Sequence, residues 1–111
     1  MGKKDYRFAI TYQDTYWEMT DNLTWTQERV FKYLVKNLQF GNIAYLKGVD
    51  IAKGCNVDKT NVSKALVVLQ ESDLIVKVKR GEYMVNPAIV RKGENTRDSL
   101  MAKYQRLRRA V

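Results

Sequence analysis

The segment Asn56 to Ser72, Asn-Val-Asp-Lys-Thr-Asn-Val-Ser-Lys-Ala-Leu-Val-Val-Leu-Gln-Glu-Ser, constrains the fold of this chain more than any other stretch. Asp58 stands where an N-cap carboxylate accepts the free amides of a helix beginning at Lys59, and Val57 and Val62 occupy the two positions of a hydrophobic staple. Val62, Ala65, Leu66 and Leu69 then recur at i, i+3, i+4 and i+7, which predicts one apolar stripe. On the opposite side fall Lys59, Thr60, Ser63, Lys64 and Val67, with no acid until Glu71. A short-armed, partly cationic face suits the major groove of DNA, where base edges offer acceptors to Lys, Ser and Thr. Taken alone, the same pattern describes equally well an amphipathic helix with a solvated side. The flanking chain decides between the two.

Immediately upstream, Gly48 to Gly54 predicts a brief helix that buries Val49, Ile51 and Ala52, stopped by Gly54 or Asn56. Cys55 is expected to point inward as a small apolar filler rather than to act as a redox sensor. A short helix, a turn of about three residues and a longer helix form a helix-turn-helix. Downstream, Leu74-Ile75-Val76-Lys77-Val78-Lys79 and Glu82-Tyr83-Met84-Val85-Asn86 flank Arg80-Gly81, two β-rich runs around a glycine turn, and Pro87 ends the hairpin. Its tip carries Lys77, Lys79 and Arg80. Lysines on an edge strand can serve only to block edge-to-edge pairing. That explains each lysine singly, but not why the basic hairpin follows a helix-turn-helix, which is the element order of a winged helix.

Earlier in the chain, Tyr6, Phe8, Ile10 and Tyr12 alternate with Arg7, Ala9 and Thr11 and predict an opening strand. Tyr16, Trp17 and Met19 then belong either to a short helix capped by Asp14 or to a second strand from Thr15 to Met19. Thr24-Trp25-Thr26-Gln27 is a capping box preceded by Leu23; it launches a helix to about Asn37 with Val30, Phe31, Leu34, Val35 and Leu38 in its stripe. Phe40-Gly41-Asn42 breaks the chain before a short strand containing Ile43, Tyr45 and Leu46. Beyond Pro87, Ile89 and Val90 tuck against the core, and Asn95 to Asp98 offers caps for a last helix with Leu100, Met101, Tyr104 and Leu107 as its stripe. That narrow stripe and the aromatic opening of the chain suggest a homodimer; the basic remainder of the helix supplies either phosphate contacts or a solvated tail.

Composition removes several classes of function. With no histidine and only Cys55, the chain has no ligand set for zinc, haem or iron-sulfur and no histidine-activated nucleophile, so no cofactor, metal or catalytic residue is assigned and no enzyme is expected. No apolar run approaches a membrane span, and the start lacks the apolar region of a secretion signal, so a cytoplasmic protein without a membrane partner is expected. Of the formal charge of +8, the stretch from Leu74 onward carries +7, ten Lys and Arg against Glu82, Glu94 and Asp98. A basic half beside a near-neutral half calls for a polyanionic partner, and nucleic acid fits better than membrane because no basic stretch also carries a broad apolar face.

The segment Leu66-x-x-Leu69-x-Glu71-Ser72-Asp73-Leu74-Ile75, followed by Arg80-Gly81-Glu82-Tyr83-Met84-Val85-Asn86-Pro87 and Arg91-Lys92-Gly93, resembles the RepL family of plasmid replication proteins of Firmicutes and relatives. Asp58-Lys59-Thr60-Asn61-Val62-Ser63-Lys64-Ala65-Leu66 is similar to the recognition helix of MarR-like winged helices, with Asp58 where that pattern has Ser. The first resemblance covers about Phe8 to Gly93 and implies binding to a replication origin and delivery of other replication proteins.

These readings converge on an α+β, mostly helical winged helix-turn-helix with an N-terminal strand and short helix: residues 1–93 form the domain and 94–111 a basic amphipathic C-terminal helix. The expected partner is double-stranded DNA. Lys59, Thr60, Asn61, Ser63 and Lys64 face the major groove, with Asn61 toward the flank; Lys77, Lys79 and Arg80 hold backbone from the wing. Arg91, Lys92, Lys103, Arg106, Arg108 and Arg109 are candidates for further phosphate contacts. Origin binding that starts or controls replication is the leading expectation, with a copy-number or operon repressor and a partition-site binder as alternatives. An RNA-recognition sheet is disfavoured because Glu82 and Tyr83 stand where that motif needs aromatic and small residues for stacking.

Overall fold

In the computed structural model, which describes residues 9–93 and 96–110, the chain runs β1 (Ala9–Thr11), α1 (Gln13–Thr20), α2 (Trp25–Lys36), β2 (Leu38–Gln39), β3 (Ile43–Tyr45), α3 (Gly48–Cys55), α4 (Lys59–Glu71), β4 (Ile75–Lys79), β5 (Glu82–Val85), β6 (Val90–Lys92) and α5 (Arg97–Arg109). Helices α2, α3 and α4 pack on one another, and β3, β5 and β4 lie side by side in an antiparallel sheet extended by β2. Strand β3 pairs with β5 through Ala44 opposite Tyr83, and β4 pairs with β5 through Val76 opposite Met84. This is the winged helix-turn-helix expected from the sequence, an α+β fold with a short helix before it and another after it. Among the described residues no helix is long and apolar enough to cross a membrane.

Local chemistry accounts for most boundaries. The capping box of α2 forms in both directions: the Gln27 amide donates to the Thr24 hydroxyl (3.2 Å) and the Thr24 amide donates to the Gln27 side chain (3.0 Å). Helix α3 stops at Asn56, which takes the left-handed conformation (φ 56°) at lower cost than most residues. Gly81 closes the wing with φ 79°. The Val78 position makes a bulge, since Lys77 faces Tyr83 while Lys79 faces Glu82.

The core has two parts on opposite faces of the wing sheet. Val30, Phe31, Leu34, Ile51, Val62, Leu66 and Leu69 of the three helices meet Ile75, Tyr83 and Val85 on one face. On the other, Ile43, Val76 and Met84 are covered by Leu100 and Tyr104 of α5. The alternation Ile75 in, Val76 out is the two-residue period of a strand buried on both sides.

Several expectations change. The segment from Tyr16 to Met19 is helical, which resolves the alternative left by the sequence, but Tyr12 rather than Asp14 is its N-cap. Tyr6 and Phe8 of the predicted opening strand lie outside the described residues; its remainder, β1, pairs with β6, which no local pattern announced. Leu38 is buried from β2 rather than from α2. Asp58 occupies the N-cap of α4 without a side-chain cap bond, and Val57 packs against the core cluster that holds Val62. Val49, expected inside, is 43% exposed because α3 turns Ile51 and Cys55 toward the core instead. Within the stretch Asn95 to Asp98 expected to supply a cap, Thr96 caps α5, its hydroxyl accepting from the Ser99 amide (3.1 Å); Asn95 lies outside the described residues.

Candidate nucleic-acid interface

Helix α4 is held by its apolar stripe, and the side opposite that stripe is open. Val62, Ala65, Leu66 and Leu69 are buried, whereas Lys59, Thr60, Asn61, Ser63, Lys64 and Val67 are all exposed. The five residues assigned to base reading therefore share one solvent-facing surface of one rigid helix.

One helix start borders that surface, and another meets the wing turn. The start of α2 lies against its flank: Thr24, Thr26 and Gln27 share a shallow recess of about 230 Å³ with Asn61 and Lys64. The start of α3 lies against the wing turn, where a β-carbon on Gly81 would sit 3.2 Å from Cγ of Lys47. Lys47 is exposed, and its backbone amide donates to the Asp50 carboxylate (3.0 Å), which fixes the entry into α3. Sequence reasoning missed Lys47 as a neighbour of the wing turn and the α2 start as a neighbour of α4. The capping box was visible, but nothing local indicates which helix face a helix start will touch.

The end of α3 is tied to α2 by two bonds between one pair of residues. Arg29 Nε donates to the Cys55 carbonyl (2.8 Å), and the Cys55 thiol donates to the Arg29 carbonyl (3.7 Å). Burial pushes the Cys55 thiol above its ordinary pKa, and the nearby Arg29 charge offsets this only in part. The sulfur is thus kept protonated in a packing role, the opposite of an activated thiolate.

The cations assigned downstream divide into two sets. Lys77, Lys79 and Arg80 are exposed on β4 and the wing turn, with Lys79 sharing its charge with Glu82 (3.4 Å). Arg106 and Arg109 are exposed on α5, across the wing sheet from the helical core, while Lys103 and Arg91 are half-buried. Lys92 and Arg108 are turned inward: the Lys92 ammonium donates to the Leu38 carbonyl (2.8 Å), and Arg108 Nη1 donates to the Gln70 carbonyl (3.1 Å) and pairs with Asp73 (3.1 Å). Both offset carbonyls left over at the ends of elements, so their charges are already engaged within the fold. Of the α5 stripe, Leu100 and Tyr104 are buried on the chain's own sheet and Leu107 packs partly against them, while Met101 stays half-exposed.

Element order, sheet topology and this open cationic face define a winged helix-turn-helix domain whose long helix presents a polar surface between a helix start and a basic hairpin. The chain belongs to the RepL family: the model of the Firmicute plasmid replication protein (RepL) matches residues 1–110, so the C-terminal helix is included in the family unit. No curated protein and no solved structure gave a significant match.

Proposed function

We propose that this plasmid replication protein acts by binding double-stranded DNA sequence-specifically at a replication origin, working through contacts rather than catalysis. The observation that carries the reading is the division of α4, whose apolar row is fully used in the core while Lys59, Thr60, Asn61, Ser63 and Lys64 all remain exposed beside a basic wing. Lys64 has the reach and charge for guanine O6 and N7, and Thr60 and Ser63 can bond base edges or phosphates. Lys77, Lys79 and Arg80 supply the flanking backbone contacts that fix register without reading sequence. Other replication proteins would be recruited by the complex so formed, in the cytoplasm with the plasmid.

Family membership favours a role in replication over repression of an operon. The test is to capture fragments of a RepL-type plasmid with the purified protein and map them. Iterated sites within the replication origin support the proposal; a single palindrome over a promoter would make the protein a repressor, and uniform capture of all fragments would remove sequence-specific binding altogether. Half-sites about 10 bp apart, or a multiple of that, would report two copies bound on one face of the duplex.

A further inference from the structure

Val67 is an exposed large apolar side chain at the C-terminal end of the surface proposed to meet DNA, 51% open to solvent. It follows Thr60 by seven residues, Ser63 by four and Lys64 by three, which places it one helical turn further along the same row. A lone exposed valine usually needs no explanation. This one differs in its place: polar neighbours bracket it on a helix face otherwise suited to hydrogen bonding, while the apolar residues of the opposite stripe, Val62, Ala65, Leu66 and Leu69, are buried and Val68 is half-buried. Val67 cannot serve the core from there, and it can donate or accept no hydrogen bond at a base edge.

The major groove offers one apolar feature, the C5-methyl of thymine. A valine on a helix holds essentially one χ1 rotamer, so its two methyl groups present a fixed surface at little entropic cost. If Lys64 and Ser63 engage one base pair, the turn that separates them from Val67 advances about 5.4 Å along the helix, roughly one to two base-pair steps. We propose that Val67 is a specificity-determining residue that packs against the methyl group of a thymine in the recognised site. The inference rests on the DNA-reading function above and deepens it by naming a base. Glu71, the next residue along the row, bounds this contact, since a carboxylate is repelled by phosphate.

Binding measurements on uracil-substituted duplexes test the idea. A preferred duplex is first selected from a random-sequence pool with the wild-type protein, and each thymine is then replaced singly by deoxyuridine, which removes only the methyl group. Wild-type protein is expected to lose about fourfold in affinity at one or two of these positions, the value of one buried methyl-sized group. Val67→Ala should bind the unmodified duplex more weakly by a similar factor and be indifferent to deoxyuridine at those same positions, while Val67→Ile should keep the discrimination. Alanine is the better helix former, so the variant should fold, which a thermal melt checks. No methyl-sensitive thymine, or the same sensitivity in Val67→Ala as in wild type, overturns the assignment. So does an equal loss by Val67→Ala on every duplex, which would place the residue in the neighbouring cleft of about 360 Å³ that it lines with Gln70, Ile75 and Val76. Failure to enrich any duplex removes the DNA-reading function, and this inference with it.

Discussion

Tyr104 of the last helix donates its hydroxyl hydrogen to the Asp73 carboxylate at 2.9 Å, and thereby fastens α5 to the joint between α4 and the wing. Asp73 sits at the bend in the left-handed conformation (φ 63°); its carbonyl accepts from the Asn86 side chain (2.9 Å) and its carboxylate also meets Arg108 (3.1 Å). One residue thus links the recognition-type helix, the end of the hairpin and the C-terminal helix. Tyr104→Phe removes a buried hydrogen bond while keeping the ring, so it should cost about 1 kcal/mol and lower Tm by several degrees in a thermal melt. Asp73→Ala should cost more, because it breaks both side-chain interactions and also leaves an alanine in the left-handed conformation that alanine disfavours. Asp73→Gly should recover part of that difference.

The same pair predicts alkaline sensitivity. Burial, then the Asp73 charge, then the hydrogen bond to it raise the Tyr104 pKa far above the ordinary value of 10.0, against a smaller opposing effect of Arg108. The folded protein therefore keeps this proton where the unfolded chain releases it. Stability from Tyr104 is complete below pH 10 and falls as pH climbs beyond it. Urea titrations across the alkaline range should show that decline in wild type and a shallower one in Tyr104→Phe, with Tyr16, Tyr83 and the Cys55 thiol, all raised by burial, contributing to what remains.

Asn42 makes a comparable knot on the other side of the sheet. It is fully buried at φ 63°; its side-chain amide donates to the Val85 (3.1 Å) and Val90 (2.6 Å) carbonyls, and its side-chain oxygen accepts from the Lys92 amide (2.7 Å). Asn42→Asp keeps the shape but turns a donor toward two carbonyls into a buried acceptor. A loss of roughly 2–5 kcal/mol is expected, larger at pH 8 than at pH 5 because protonating the carboxyl restores one donor. Denaturant midpoints at the two pH values check both the size and the sign.

Gly54 faces Tyr33 so closely that a β-carbon would overlap the ring. In an open helix Gly→Ala gains about 1 kcal/mol, and here the half-buried ring must first be displaced. Gly54→Ala is therefore expected to destabilise, whereas in a Tyr33→Ala background the same change should stabilise. A double-mutant cycle in urea that found the two changes additive would show the ring to be free to swing aside.

How much of the fold is legible in the sequence follows from which interactions are local. The cap of α2, the stripes of α2 and α4 and the turn at Gly81 depend on residues within a few positions of each other, and each is readable from periodicity or turn chemistry. The pairing of β1 with β6, the Asn42 knot and the inward turn of Lys92 depend on partners about fifty to eighty residues apart, for which no local pattern exists. Arg108 shows the limit for the candidate site: on a helical projection it belongs to the basic face, and only the placement of Asp73 and Gln70 reveals that its charge is already engaged. Asn86-Pro87, part of the resemblance to the RepL family, has a structural cause, since Asn86 donates to the Asp73 carbonyl and accepts from the Ala88 amide (2.9 Å each) at the exit of the wing.

Charge pairing in the wing separates cations that look alike in the sequence. Lys79 lies 3.4 Å from Glu82, so part of its field is already neutralised, whereas Arg80 at the turn is exposed without such an acid in reach among the described residues. Under the proposed function both meet phosphates, and removing one phosphate-neutralising cation should flatten the dependence of log affinity on log salt by about one unit. Arg80→Ala should show nearly that full unit, equally on all sequences, and Lys79→Ala only a fraction of it. Glu82→Gln should act in the opposite direction, releasing Lys79 and steepening the slope. Lys64→Ala, in contrast, should cost roughly 1–3 kcal/mol on the preferred duplex, and much less on unrelated DNA, because it deletes a group that reads a base. Fluorescence anisotropy over a range of salt concentrations, on preferred and scrambled duplexes, measures all four. Parallel losses for Lys64→Ala and Arg80→Ala on both duplexes would show that α4 grips the backbone and reads nothing.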